Sequence, residues 1–251
     1  DGLLRSLASH GVRRVMNVGS SMESSRTGIQ LGKEYDFLYS SVGVHPDSAR
    51  EICDETLREL AELAREPKVR ALGEIGLDYH YHFSPRDDQR EAFRRQLRLA
   101  KEAGLPVALH LREAHDEALA IMREEGFPEA GTLLHCFNLD WATLEPWVEE
   151  GCYVAFGGAL TFKNADDTRE AAARVPVNRL LTETDAPYMT PEPMRGMTCL
   201  PDHVLFTAER LAEACGRAPG AQREEFLARL MDNARELLDR PATAWQKNKG
   251  A

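Results

Sequence analysis

The chain has 251 residues, and its 31 Lys+Arg against 41 Asp+Glu leave a formal charge of −10. That length suits one large domain, and the acidic balance excludes a generic basic nucleic-acid coat, so any nucleic-acid contact must be local and cation-assisted. The five cysteines form no CxxC pair and no apolar run approaches 18 residues. Zinc-finger, disulfide-framework and membrane-spanning readings therefore fall, and a cytoplasmic protein with no obligate protein partner is expected.

The first pattern, Leu3-Leu4 with Leu7-Ala8, reads as a helix ending near Gly11. A strand is expected at Arg14–Val18 and another at Phe37–Val44, which runs into Gly43-Val44-His45-Pro46. Leu57, Leu60, Ala61 and Ala64 make one stripe of a helix over 54–64. The strand Val69–Ile75 carries Glu74 in an otherwise apolar or glycine run. Ser84 and Pro85 open a helix that stops at Gly104. The strand Pro106–His110 and a helix over 115–125 follow, then the strand Thr132–His135 and a helix over 140–150. Strands at Tyr153–Phe156 and Arg179–Thr184, helices over 202–215 and 222–238, and a loose tail after about residue 240 complete the chain.

Seven near-continuous apolar strands alternating with helices predict parallel βα units covered on both faces. The polar residues close the strands at their carboxyl ends. The expected fold is therefore α/β, a TIM-type (β/α)8 barrel forming a single domain over residues 1–251. A doubly wound sheet is the alternative, but no Gly-rich phosphate loop follows any strand. A barrel places a strand before its first helix, so the first strand is expected to be missing from this chain.

Glu74, buried by its neighbours, must be paired with an arginine or bound to metal. His110 and His135 each end an apolar run. Alone, each reads as a hydrogen-bonded core histidine; in consecutive strands they read as cation ligands. Asp185, ahead of Ala186-Pro187, is either a turn cap or a metal ligand that also handles the proton of an attacking water. Glu183, two residues before it, points to the same face. His45 is a turn histidine or a substrate contact. The cluster Tyr79, His80, Tyr81, His82 offers rings that stack on bases or pack as a lid. Arg112 and Arg195 are candidate phosphate contacts, with surface ion pairs the bland alternative.

Five of these segments in this order resemble the TatD family of metal-dependent hydrolases. They are Gly43-Val44-His45-Pro46, Gly73-Glu74-Ile75-Gly76-Leu77-Asp78-Tyr79, Leu109-His110-Leu111-Arg112, Leu134-His135-Cys136-Phe137 and Thr182-Glu183-Thr184-Asp185-Ala186-Pro187-Tyr188. The segment Asp232-Asn233-Ala234-Arg235-Glu236-Leu237-Leu238 resembles the family's closing helix. The resemblance implies a deoxyribonuclease cleaving DNA phosphodiester bonds, single strands included, with two divalent ions (Zn, Mg or Mn) about 3.5–4 Å apart. It implies that Glu74 bridges the ions, that His110 and His135 bind the second, that Asp185 binds the first and takes the water proton, and that His45 lies near substrate. The family's first-strand His-x-His pair for the first metal is absent from this chain, so about one tight metal and impaired activity are expected. A non-DNA ester or amide, aminoacyl-tRNA esters included, is the alternative substrate.

Overall fold

A computed structural model describes residues 2–248. Seven strands are placed among them: β1 (Val15–Asn17), β2 (Leu38–Val42), β3 (Val69–Asp78), β4 (Val107–Arg112), β5 (Thr132–Leu134), β6 (Tyr153–Phe156) and β7 (Leu180–Thr182). The α-helices are α1 (Gly2–Ser9), α2 (Met22–Glu34), α3 (Asp54–Leu63), α4 (Arg86–Ala103), α5 (His115–Glu125), α6 (Trp141–Glu149), α7 (Asp166–Arg174), α8 (Val204–Ala214), α9 (Ala221–Leu238) and α10 (Ala244–Lys247). This is the expected α/β alternation. Three helices, α2, α7 and the short α10, go beyond the sequence expectation, and β3 runs three residues further, to Asp78.

Contacts divide the chain into two compact units. One comprises Arg14–Leu133 together with the chain from Leu237 onward. In it β1, β2, β3 and β4 lie side by side in chain order, all parallel. The β3–β4 register pairs Gly76 with His110 and Asp78 with Arg112, and it slips between Leu72 and Ile75. Glu74 sits in that slip. Its N–H leaves the ladder and donates to Gly19 O at 2.7 Å, and an irregularity of this kind re-aims a side chain. Gly76 is required where it stands. Its φ is +144°, and a Cβ there would lie 2.1 Å from His110 O.

Helix α4 covers this sheet with Ala92, Phe93, Leu97 and Ala100, all buried. It opens one residue later than expected: Pro85 is the N-cap, and the Ser84 hydroxyl donates to Asp47 O at 2.7 Å. At its other end Gly104 takes the left-handed conformation, as the sequence predicts. The tail expected to be loose is docked at Trp245 and Gln246. Trp245 Nε1 donates to Ala61 O at 3.0 Å, and the buried Gln246 amide donates to Ala64, Glu66 and Val69 carbonyls. Those carbonyls sit where α3 passes into β3, and an unpartnered buried carbonyl is costly.

The second unit comprises Leu134–Glu236 together with the chain up to Arg13. Here β6 and β7 pair in parallel, Val154 with Leu180 and Phe156 with Thr182. Buried Asn233 on α9 donates to Val177 O at 2.7 Å and Leu180 O at 2.8 Å, which fixes the start of β7. Leu7 of α1 is fully buried, and His10 just after that helix pairs with Asp202 at 2.7 Å.

Candidate metal and active site

The first cluster is built on β3 and β4. His110 stands between two carboxylates: its Nδ1 lies 2.8 Å from Glu74 Oε1, and its Nε2 lies 2.9 Å from Asp78 Oδ2. Strand register places Gly76 beside His110, so Glu74 and Asp78 flank it from two residues either side. Asp78 is 1% exposed. Burial alone would raise its carboxyl, but the His110 imidazole and the N–H groups of His80 and Tyr81 outweigh burial and hold it down to about 2. It is therefore a carboxylate at neutral pH and can only accept. The His110 Nε2 is the donor in that bond, which turns Nδ1 toward Glu74. A carboxylate behind an imidazole, fixing its tautomer and orientation, is the usual support of a metal-binding histidine.

His45 follows β2, and its ring lies 4.2 Å from the His110 ring, centroid to centroid. Ligand-type atoms of His45, Glu74 and His110 all fall within 4.8 Å of one another. Burial, and then the neighbouring His110, pushes the His45 imidazole below its usual value, so the ring is neutral. Its Nδ1 accepts the Asp47 N–H at 3.2 Å. The ring hydrogen therefore sits on Nε2, which makes His45 a donor toward an oxygen, a poorer fit to a cation than Glu74 or His110.

Two buried glutamines on one face of α4 set this cluster's backbone. Gln89 brackets Asp78, accepting its N–H at 2.8 Å and donating to its carbonyl at 2.8 Å. Gln96 does the same to Val44, the residue before His45, at 2.8 and 3.0 Å. The sequence reading assigned no role to either glutamine or to Asp78. Asp78 lies inside a quoted motif, and its signal is an acid one strand step from Gly76; the glutamines carry none beyond their place on the apolar face.

The second cluster belongs to the other unit. His135 Nδ1 lies 2.8 Å from Glu183 Oε2, and Glu183 Oε1 accepts the Cys136 N–H at 2.5 Å. Cys136 takes φ +47°, the left-handed region, as it makes that bond. On the other side of the ring, His135 Nε2 lies 3.5 Å from Asp185 Oδ1. Ligand-type atoms of His135, Cys136 and Glu183 also gather within 4.8 Å. Both Glu183 oxygens are already committed, one to the ring and one to backbone. In that geometry Glu183 orients the ring, and His135 Nε2 with Asp185 is the pair that could hold a cation.

Tyr79, expected to meet substrate, is instead buried, and its hydroxyl donates to Glu117 at 2.7 Å. Burial and that bond push the phenol up to about 12. Arg112 ends β4 with its guanidinium 4.6 Å from the centre of the Tyr81 ring. Arg195 lies over Phe162 at 4.1 Å and donates to Thr190 O at 3.2 Å, held within its own loop.

The donor set suits divalent cations: part-buried carboxylate and imidazole groups, each imidazole with a carboxylate behind it. A family model described as TatD related DNase matches residues 1–239. The uncharacterized metal-dependent hydrolase YabD of Bacillus subtilis is 40% identical over 202 residues, 80% of this chain and 79% of its own. The 3′-5′ ssDNA/RNA exonuclease TatD of Erwinia tasmaniensis is 35% identical over 197 residues, covering 78% and 76%. The crystal structure of YjjV, a TatD homologue from Escherichia coli, superposes with a TM-score of 0.87 at 30% identity, covering 96% of this chain and 92% of that one. The fold is thus the TIM-type α/β barrel class expected from the sequence. The chain belongs to the TatD-related family and is a metal-dependent hydrolase of ester bonds.

Proposed function

We propose that this hydrolase is a nuclease that cleaves the phosphodiester bonds of DNA, preferring single strands. The observation that carries the reading is His110 clasped between Glu74 and Asp78 at the ends of β3 and β4. A family described as DNase and a relative named as an ssDNA/RNA exonuclease support the substrate class.

Glu74 and His110 would hold a divalent cation in one cluster, and His135 with Asp185 would do so in the other. Such ions supply Lewis acidity toward phosphoryl oxygens and acidify water. Asp78 and Glu183 keep the two imidazoles turned toward their ligand positions. Asp185, its side chain 34% exposed, is the carboxylate available to take the proton of the attacking water. The neutral His45 donates Nε2–H to a phosphate oxygen. Arg112 contributes charge beside it, and Arg195 is the corresponding candidate in the second unit. The five free cysteines fit a reducing, cytoplasmic setting. No helix among the described residues is long and apolar enough to cross a membrane.

The test uses end-labelled single-stranded and duplex DNA, with the divalent ion and with EDTA. Cleavage is expected to favour single strands, to stop with EDTA, and to fall at least 100-fold in Glu74→Gln or Asp185→Asn (roughly 3 kcal/mol of barrel-site stabilisation). Turnover of carboxylic esters with no cleavage of DNA would replace the nuclease reading with the ester or amide alternative. Calorimetric titration in the same series reads the number of ions bound.

A further inference from the structure

Past Asp78 the chain runs Tyr79-His80-Tyr81-His82-Phe83. Tyr79 turns inward, but Tyr81 and Phe83 face solvent, 51% and 65% exposed. Their rings are stacked, with centroids 5.5 Å apart and planes 23° from parallel. The pair is braced rather than loose. The His80 ring meets Tyr81 edge-on at 4.7 Å and is itself held by Glu113 at 2.7 Å, and the Arg112 guanidinium lies over Tyr81. The backbone is tied as well: the N–H groups of His80 and Tyr81 both donate to Asp78 Oδ1, whose other oxygen holds His110. The outward rings are therefore one side chain removed from the first cluster.

Two large aromatic rings stacked in water, the inner one covered on its other face by a planar cation, leave the outer face of Phe83 as a surface of defined chemistry. A flat π-ligand gains stacking area there, and the positive charge behind the rings favours a ligand that carries an anion. A nucleobase on a sugar–phosphate strand has both parts. In a duplex the base faces are occupied by their neighbours; in a single strand they are available.

We propose that the outer face of Phe83, backed by Tyr81 and by the Arg112 guanidinium over that ring, is a stacking platform for an unpaired base of the substrate. The identity of the ligand rests on the nucleic-acid reading above; the platform itself rests on the ring geometry. Stacking is tolerant of base identity because every base has a π-face, so the platform selects strandedness and leaves sequence unread.

The test is equilibrium binding of a short phosphorothioate-linked oligothymidylate, which resists hydrolysis, in the presence of magnesium. An abasic strand of the same length and backbone is the comparison. The wild-type protein is expected to prefer the strand with bases. Phe83→Ala is expected to weaken that binding by roughly 5- to 150-fold and to erase the difference between the two strands. Phe83→Trp, which restores a flat ring at this exposed site, is expected to recover both, and circular dichroism confirms that each variant is folded. Equal affinity of the wild type for both strands, no binding of either, or an unaltered Phe83→Ala variant overturns the platform. These outcomes separate from the activity. Cleavage of DNA with unaltered Phe83→Ala binding leaves the nuclease and removes the platform; base-dependent binding lost in Phe83→Ala without any cleavage does the reverse.

Discussion

Asp78→Asn isolates the support of His110 from the stability of the fold. In the native chain Asp78 Oδ1 accepts the N–H groups of His80 at 2.9 Å and Tyr81 at 3.2 Å, and Oδ2 accepts from His110 Nε2 at 2.9 Å. Asparagine keeps one oxygen for the two backbone donors and puts an amide NH2 where Oδ2 stood. That group only donates, so the His110 ring must offer a lone pair at Nε2 and carry its hydrogen on Nδ1, the nitrogen facing Glu74. A protonated ring nitrogen does not bind a cation. Loss of an outer partner of this kind weakens metal binding by about 10- to 100-fold, or roughly 1.4–2.7 kcal/mol. Calorimetric titration with zinc or manganese reads the affinity, and a melting curve reads the fold. Asp78→Ala is the contrast. It strips both oxygens and leaves two backbone N–H groups unpartnered beside a site 1% exposed, at about 1–3 kcal/mol each. Native-strength cation binding in Asp78→Asn, or a loss that merely tracks its melting temperature, refutes the tautomer argument.

Gly76→Ala sets a Cβ 2.1 Å from His110 O at φ +144°; the combined overlap and backbone strain should cost about 3 kcal/mol or more, seen as a lowered melting temperature. Gly2→Ala, with nothing within 4 Å, is the unaffected control. His115 is held down to about 4, by burial first of all. It therefore stays neutral in the fold while the unfolded chain protonates from about pH 6.5, so its contribution is intact above that pH and lost as pH falls toward 4, up to about 3 kcal/mol. Denaturant titrations at a series of pH values should show that slope, flattened in His115→Gln. Alkylation at pH 8 should modify Cys53 first, because its bonds with Thr56 lower its pKa and it is exposed. Cys152, raised to about 12 chiefly by burial, should react only on unfolding. Peptide mapping by mass spectrometry gives the order.

The strands were readable because parallel strands covered on both faces are apolar throughout, and Val107–Leu109 or Tyr153–Phe156 can hardly be anything else. Helix α2 was not. Its Gly28 and Gly32 and its run of Ser24, Ser25 and Thr27 are poor helix formers. The structure supplies the reason for the first glycine: a Cβ at 28 would stand 2.5 Å from the Asn17 amide and 3.0 Å from Ser40 Oγ. Helix α7 buries only Thr168, Ala171 and Ala172, too thin a stripe to stand out. At the site, residue type and strand-end position singled out Glu74, His110, His135 and Asp185. What lies behind each imidazole depends on register and on a left-handed turn at Cys136, and neither is written in residue type. Of Tyr79 and Tyr81, the sequence points to the first as the substrate contact. The strand end decides between them, turning the first under Glu117 and the second toward water.

The two glutamines of α4 explain why the His110 cluster can sit on a sheet that slips its register. Strand pairing alone leaves the stretch around Glu74 underdetermined, since the ladder breaks between Leu72 and Ile75. Gln89 and Gln96 lie seven positions apart, two turns of helix, and so project from one face of α4. Each closes a two-bond ring on the backbone of one residue, Asp78 in one case and Val44 in the other. Leucine at either place would fill the space but leave a buried N–H and a buried C=O without partners, which costs more than the apolar contact gains. The helix thus acts as a ruler laid across the strand ends. It fixes the residue that holds His110 and the residue that precedes His45 relative to one another, with the imidazoles hung between them. Positioning from the helix side leaves the strand-end backbone at Gly73 and Gly76 free to approach β4 closely, where any side chain would intrude on the carbonyls of Ala108 and His110.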